Sequence, residues 1–306
     1  MTRILALIVL TAGLLAAQAL TTAIAEDSSV QVWYEKGLFF NRSGQPDKAI
    51  DAFTKTIQLD PKHANAYNNR GAVWYLKRNY DNAIKDYSAA IVIKPDTPSF
   101  YLNRAAAYFK KQQFNKAIED YNTIIRIDPE YADAYNNRGM TLYYMGEYDR
   151  AISDHSKALT LNPDVPEYYN NRGAAWFRKN RLERAIVDYT RALALNPASF
   201  NALKNRGIAW FKKAQYDRAV ADYNQALAVN PKSVDIYVSR GIVYYQKGKY
   251  KDALMDFVDA VTLDPESIDA LNQLAWMLAV CPDEQYRNGV KAVEMAKKVV
   301  SLYPSL

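Results

Sequence analysis

The chain has 306 residues, 49% of them hydrophobic and 24% charged, a balance that excludes bulk disorder. Its net charge of +6 is mild; it favours acidic proteins, acidic polymers or anionic surfaces and does not by itself argue for nucleic acid. A single cysteine, Cys281, excludes an intramolecular disulfide and a cysteine zinc site, and His63 and His155 have no ligand at metal spacing, so no metal and no cofactor is expected.

The first predicted segment is apolar. Arg3 precedes a run from Ile4 to Ala17, Ala23-Ile24-Ala25 has the small-x-small pattern of a cleavage site, and Glu26 and Asp27 open a polar stretch. The pattern predicts a secretory signal peptide over residues 1–25, a short linker over 26–29, and a mature chain that starts at Glu26. The expected location is periplasmic or secreted, with no stable membrane insertion after cleavage. Thr11, Gly13, Gln18, Thr21 and Thr22 dilute the apolar stretch. The alternative is a chain that keeps this segment and is membrane-anchored through its uncleaved N-terminus.

From residue 30 onward the prolines set a frame. Pro61, Pro95, Pro129, Pro163, Pro197, Pro231 and Pro265 stand 34 residues apart. Two further series keep that step: Gly37, Gly71, Ala105, Gly139, Gly173, Gly207, Gly241 and Ala275; and Ala49, Ala83, Ala117, Ala151, Ala185, Ala219 and Ala253. A fixed period of this length signals a solenoid of stacked supersecondary units. Each period holds two predicted helices. In the second, Tyr67, Gly71 and Trp74 recur at helical spacing, the pattern pauses at Arg78-Asn79, and Tyr80, Ala83, Ile84, Tyr87, Ala90 and Ile91 resume it. Pro95 stops the second helix, because proline lacks an N–H and disfavours helical geometry in its predecessor. Asp or Asn precedes that proline in six of the seven repeats and suits a turn. The small residues let facing helices approach, and Tyr67, Trp74, Tyr80, Tyr87 and Ile91 are the expected core of one period.

Tyr67, Gly71, Trp74, Ala83, Tyr87, Ala90 and Pro95 reproduce the spacing of the tetratricopeptide repeat (TPR) signature, and the chain resembles that family over nearly all of its predicted mature length. Seven 34-residue units start at residues 30, 64, 98, 132, 166, 200 and 234 and cover 30–267. Residues 268–306 read as an eighth, extended TPR-like capping unit. Ala253 to Ala292 and Pro265 to Pro304 both span 39 residues, so five extra residues lie within 281–289, in the turn between its helices. The resemblance implies an all-α fold, a right-handed superhelical solenoid of antiparallel helix pairs, of the exported bacterial type.

Charge breaks the family pattern. The seventh position, usually leucine in the family, holds Arg70, Arg104, Arg138, Arg172, Arg206 and Arg240. Sixteen residues later stand Asp86, Asp120, Asp154, Asp188, Asp222 and Asp256. The first and last units lack both members, with Lys36 and Ala52 at one end and Leu274 and Met295 at the other. Residues that come and go together predict an arginine–aspartate pair between helices, bidentate by the shape of the guanidinium.

In the TPR family the first helix of each unit lines a concave groove. Carried over by position, the expected peptide-binding residues are Asn69, Asn103, Asn137, Asn171 and Asn205, with the aromatic row Tyr75, Phe109, Tyr143, Phe177, Phe211 and Tyr245. Asparagine amides can hydrogen-bond the backbone of an extended peptide, and aromatic rings supply contact area at low entropic cost. Both rows also belong to the family's structural pattern. Lys77, Lys111, Lys179, Lys213 and Lys247 lie near helix C-termini and read as solvated end charges. The chaperone-tail clamp of some TPR domains is not expected, because Tyr34 and Leu38 replace its lysine and asparagine.

No catalytic residue is expected. The glycines follow the repeat and form no phosphate loop, the aspartates stand opposite arginines, and no second domain is left to hold a site. The expected function is a non-catalytic protein–protein interaction module or scaffold of the cell envelope that binds a protein or peptide partner and no small-molecule substrate. The alternatives are a multi-partner envelope assembly scaffold and a nucleic-acid-binding helical repeat; the signal peptide and the closeness to the TPR pattern argue against nucleic acid.

Overall fold

A computed structural model describes residues 29–302 of the chain. The predicted signal peptide and its alternative, a retained anchor, lie outside the described residues, as does the linker up to Ser29. The described residues contain sixteen α-helices, one short 3₁₀ turn and no strand. Helices of 13 and 14 residues alternate. The first helices are α1 (Val30–Arg42), α3 (Ala64–Leu76), α5 (Pro98–Lys110), α7 (Ala132–Tyr144), α9 (Pro166–Arg178), α11 (Phe200–Lys212), α13 (Val234–Gln246) and α15 (Ile268–Val280). The second helices are α2 (Pro46–Leu59), α4 (Tyr80–Ile93), α6 (Phe114–Ile127), α8 (Tyr148–Leu161), α10 (Leu182–Leu195), α12 (Tyr216–Val229), α14 (Tyr250–Leu263) and α16 (Gly289–Leu302). No described helix is long and apolar enough to cross a membrane.

The described residues divide into two compact halves, 29–141 and 142–302. In the N-terminal half, α1 to α6 form three antiparallel pairs, each second helix packs on the next first helix, and α1, α3 and α5 also touch in sequence. In the C-terminal half, α9 to α16 form four pairs joined the same way, with α9, α11, α13 and α15 in sequence. Each half therefore carries its own continuous row of first helices.

The repeat residues explain the packing. The alanines of the 34-residue series, Ala49, Ala83, Ala117, Ala151, Ala185, Ala219 and Ala253, are fully buried in both halves. Where a first helix carries glycine, a Cβ at that point would meet an aromatic ring sixteen residues on: at Gly71 it would lie 2.8 Å from the Tyr87 ring and 3.3 Å from the Ala83 carbonyl. The expectation of close backbone approach is thus sharpened, since most of the vacated space is filled by Tyr87. Of the expected core residues Tyr87 and Ile91 are buried, whereas Tyr67, Trp74 and Tyr80 are only half-buried, because they cover the edge of the pair rather than its seam. The Asp and Asn residues before the prolines close turns through their own side chains; Asp60 Oδ1 accepts from the Lys62 N–H at 2.9 Å, and Asp128, Asn162, Asn196, Asn230 and Asp264 repeat the contact.

The turn inside each pair has one backbone requirement. Its second residue is left-handed in every 34-residue repeat: Gly44, Arg78, Gln112, Gly146, Asn180, Ala214 and Gly248 have φ between 55° and 82°. A side chain in that region costs roughly 1–2 kcal/mol, which glycine avoids. Ala214, at φ 55°, carries that strain without the local hydrogen bonding available to asparagine. Ala214→Gly is expected to raise stability by about 1 kcal/mol, read as a higher urea midpoint; an unchanged or lower midpoint would show that the turn relaxes around alanine.

Candidate functional site

All five expected asparagines are half-buried on first helices. The amide Nδ2 of Asn69 donates to the Tyr34 hydroxyl at 2.9 Å, that of Asn103 to Asn68 Oδ1 at 2.9 Å, and that of Asn205 to Asn170 Oδ1 at 3.1 Å. Each bond joins a first helix to the first helix before it. Asn137 Oδ1 accepts from its neighbour Asn136 at 3.4 Å, and Asn171 stands at the same place on α9. The row lies at the seam between first helices, so one hydrogen-bonding group of each bonded amide stitches neighbours together. The other amide N–H remains for a ligand.

The six aromatics are half-buried as well, at the C-terminal ends of the first helices. Five of them pack on the residue that opens the second helix. The ring centroids are 5.4 Å apart for Tyr75 and Tyr80, 5.5 Å for Phe109 and Phe114, 5.5 Å for Tyr143 and Tyr148, 5.8 Å for Phe211 and Tyr216, and 5.3 Å for Tyr245 and Tyr250. Phe177 is followed by Leu182 instead and carries the Lys212 ammonium 4.6 Å above its ring. In the other five the ring contact fixes the turn, and all six rings stay partly exposed. Packing on one side holds the ring still, which lowers the entropy lost when a ligand covers the other.

The reading of the lysine row as solvated end charges is corrected. Lys77 pairs with Asp47, Lys111 with Asp81, Lys179 with Asp149, Lys213 with Glu183 and Lys247 with Asp217, each acid being thirty residues earlier, in the first turn of the preceding second helix. The acid sits where a helix N-terminus favours negative charge. The carboxylates are largely exposed, so these pairs contribute register more than stability. They also neutralise the row.

A second set of charges lies between the second helices. Arg206 Nε donates to Asp222 Oδ2 at 2.8 Å and Nη2 to Oδ1 at 2.7 Å, a bidentate fork within one helix pair. Arg70, Arg104, Arg172 and Arg240 repeat it with Asp86, Asp120, Asp188 and Asp256. The expected pairing is found at these five arginines, and a third contact accompanies it. The remaining Nη1 donates to a residue sixteen positions earlier, on the preceding second helix: Thr54, Ser88, Asn122, Ser156, Thr190 or Asn224, for Arg70, Arg104, Arg138, Arg172, Arg206 and Arg240 in turn. Arg70, Arg104, Arg172, Arg206 and Arg240 thus each tie their own pair together and tie it to the pair before. Burial pushes the Asp120 and Asp256 carboxyls up from their ordinary range, against the pull of their arginines. At Arg172 and Arg240 the hydrogen bond to aspartate outweighs burial and holds the guanidinium up. The opposing shifts are those of a pair whose attraction is largely offset by desolvation.

At the C-terminus all three positions turn apolar together. Leu274 replaces the arginine, Met295 the aspartate and Val258 the hydroxyl or amide, and all three line one cavity of about 500 Å3 rimmed by the extra turn residues Gln285 to Asn288. Cys281, at the start of that turn, is buried.

The described residues thus define a helical-repeat array of the solenoid class, with a first-helix face open for contact and a second-helix face locked by charge. The chain belongs to the tetratricopeptide repeat family. The family model described as Tetratricopeptide repeat matches residues 30–63, 132–165 and 166–199 in one version and 234–267 in another, and a TPR repeat model matches 75–112, 107–145 and 209–248. None of the curated proteins matches the chain in sequence. Among solved structures, the MamA protein is similar at 25% identity and TM-score 0.51, over 56% of this chain and 94% of that one. A tetratricopeptide repeat protein from Parabacteroides merdae is similar at 19% identity and TM-score 0.65, over 80% and 97%. YrrB, a TPR protein with an unusual peptide-binding site, is similar at 20% identity and TM-score 0.50, over 60% and 95%. The last two likenesses bear on the fold alone. TPR arrays in general mediate protein–protein interaction, and they are generally non-catalytic scaffolds.

Proposed function

We propose that this chain is a non-catalytic interaction module of the cell envelope that binds an extended peptide or a flexible segment of a partner protein along its first helices. The half-buried aromatic row carries the reading: a ring stands at the same place in six successive first helices, and five of the six are packed against the residue that opens the second helix. The asparagine row beside them offers amide groups suited to a peptide backbone, and the charged groups around it are engaged in structural pairs. Residues 1–25 direct export and are removed, which leaves a periplasmic or secreted chain of bacterial type.

One preparation tests both parts. The native chain is recovered from the envelope fraction by crosslinked pull-down, its N-terminus is sequenced and its partners are identified. Glu26 is the expected first residue; recovery of residues 1–25 would overturn cleavage. For the partner so identified, Asn137→Ala/Asn171→Ala is expected to weaken binding about tenfold with little change in melting temperature. Unchanged affinity would remove the asparagines from the binding surface.

A further inference from the structure

The first-helix face changes character toward the C-terminus. Its ninth position holds Ala72, Ala106 and Ala174 in three earlier helices and Ile208, Ile242 and Trp276 in the last three. At the last of these, α13, α14 and α15 enclose a cavity of about 270 Å3 walled by Ile242, Tyr245, Phe257 and Trp276, with Gln246 and Gln273 at its edge. Trp276 is 47% exposed, a large fraction for tryptophan. Its ring meets that of Tyr245 at 4.7 Å and 56°, and Tyr245 is held from its other side by Tyr250 at 5.3 Å. The wall is therefore rigid before any ligand arrives.

The two glutamines supply an independent observation. Gln273 occupies the position at which Asn103 and Asn205 stand in earlier first helices. Those asparagines are bonded to the preceding helix, whereas the side chain of neither Gln246 nor Gln273 makes a hydrogen bond within the described residues. Two unengaged primary amides, each with donors and an acceptor, thus border an apolar cavity, and a peptide bond offers the complementary pair. No charged side chain lines the space. A charged group entering it would lose hydration with no counter-charge to replace it, so the cavity discriminates against charge. Its volume lies below the roughly 300–1,000 Å3 of small-molecule pockets and fits one side chain better than a whole ligand.

We propose that this cavity is a subsite for one large uncharged apolar side chain of an extended peptide, with Gln246 and Gln273 hydrogen-bonding the peptide backbone beside it. The inference rests on the peptide-binding reading above and adds the class of segment that the C-terminal end selects. The ligand is neutral at this point and anchored by phenylalanine, tryptophan, leucine or isoleucine.

A surface array of random dodecapeptides, probed with the full chain, tests the proposal, followed by fluorescence anisotropy on the best binder. The binders are expected to share one such apolar residue, and replacing it with aspartate is expected to weaken binding about tenfold or more. Trp276→Ala is expected to weaken the parent peptide to a similar degree and to leave the aspartate-substituted peptide unaffected. Gln246→Ala/Gln273→Ala removes no core contact, so its expected severalfold loss does not depend on folding. Binders with no shared apolar residue, or an affinity indifferent to both variants, overturn the subsite and leave peptide binding standing. A chain that binds no peptide on the array overturns the subsite and the peptide-binding reading together.

Discussion

Asp222→Ala is expected to destabilise the chain by about 3–5 kcal/mol, the range for removing one partner of a buried ion pair. Asp222 is 3% exposed and takes both the 2.8 Å and 2.7 Å bonds from Arg206, whose own side chain is 19% exposed. Without the carboxylate the guanidinium keeps only the Thr190 hydroxyl and stays in the seam between second helices as a stranded charge. The natural C-terminal end shows what a compensated change looks like, since Val258, Leu274 and Met295 share one cavity where the ladder stops. Thr190→Val/Arg206→Leu/Asp222→Met copies that set and is expected to recover most of the loss, because buried ion pairs are often replaceable by apolar residues of similar size. Urea denaturation reads both effects as shifts of the midpoint at constant slope. An unshifted midpoint for Asp222→Ala would mean the pair adds nothing. A triple variant as weak as the single one would show that the three positions do not act together.

The fold was legible because the repeat is one-dimensional. A proline every 34 residues fixes the frame, and any residue type required by packing reappears in it. The arginine–aspartate pair was legible for the same reason, through its joint loss at both ends. Its third contact was not, because Thr54, Ser88 and Asn122 share a hydrogen-bonding group and no residue type, and a search by identity does not see a series of that kind. The lysine–acid pairs also leave a trace in the sequence, at an offset that runs from one helix pair to the next. Where Asn115 takes the place of the acid, Met145 takes that of the lysine thirty residues on, and Lys251 and Cys281 depart together in the same way. The inter-helix bonds of the asparagine row are not legible, because spacing gives the helix face and not the distance to the neighbouring helix, which brings Asn103 and Asn205 against the preceding first helix.

His155 is expected to make stability fall with acidification in a way no other repeat shares. The position it occupies holds Phe53, Tyr87, Tyr121, Tyr189, Tyr223 and Phe257 elsewhere. An imidazole stands where the packing calls for a ring without charge, and it is 1% exposed. Burial, reinforced by the nearby Arg172 guanidinium, lowers its pKa from 6.5 to about 3. Above pH 6.5 the group is neutral in both folded and unfolded chains and adds no pH dependence. Between 6.5 and 3 the unfolded chain takes up a proton that the folded chain refuses, so stability falls by about 1.4 kcal/mol per pH unit. The loss reaches about 2 kcal/mol at pH 5 and levels off below the folded value. His155→Phe supplies the ring found at Phe53 and Phe257 and removes the titration. The carboxylates are common to both proteins and largely cancel in their difference. Denaturation midpoints measured from pH 7.5 to pH 4.5 are therefore expected to diverge only on the acid side, with the phenylalanine variant the more stable. Parallel pH profiles would mean that the folded chain admits the proton, and with it the water or carboxylate needed to hold an imidazolium inside the seam.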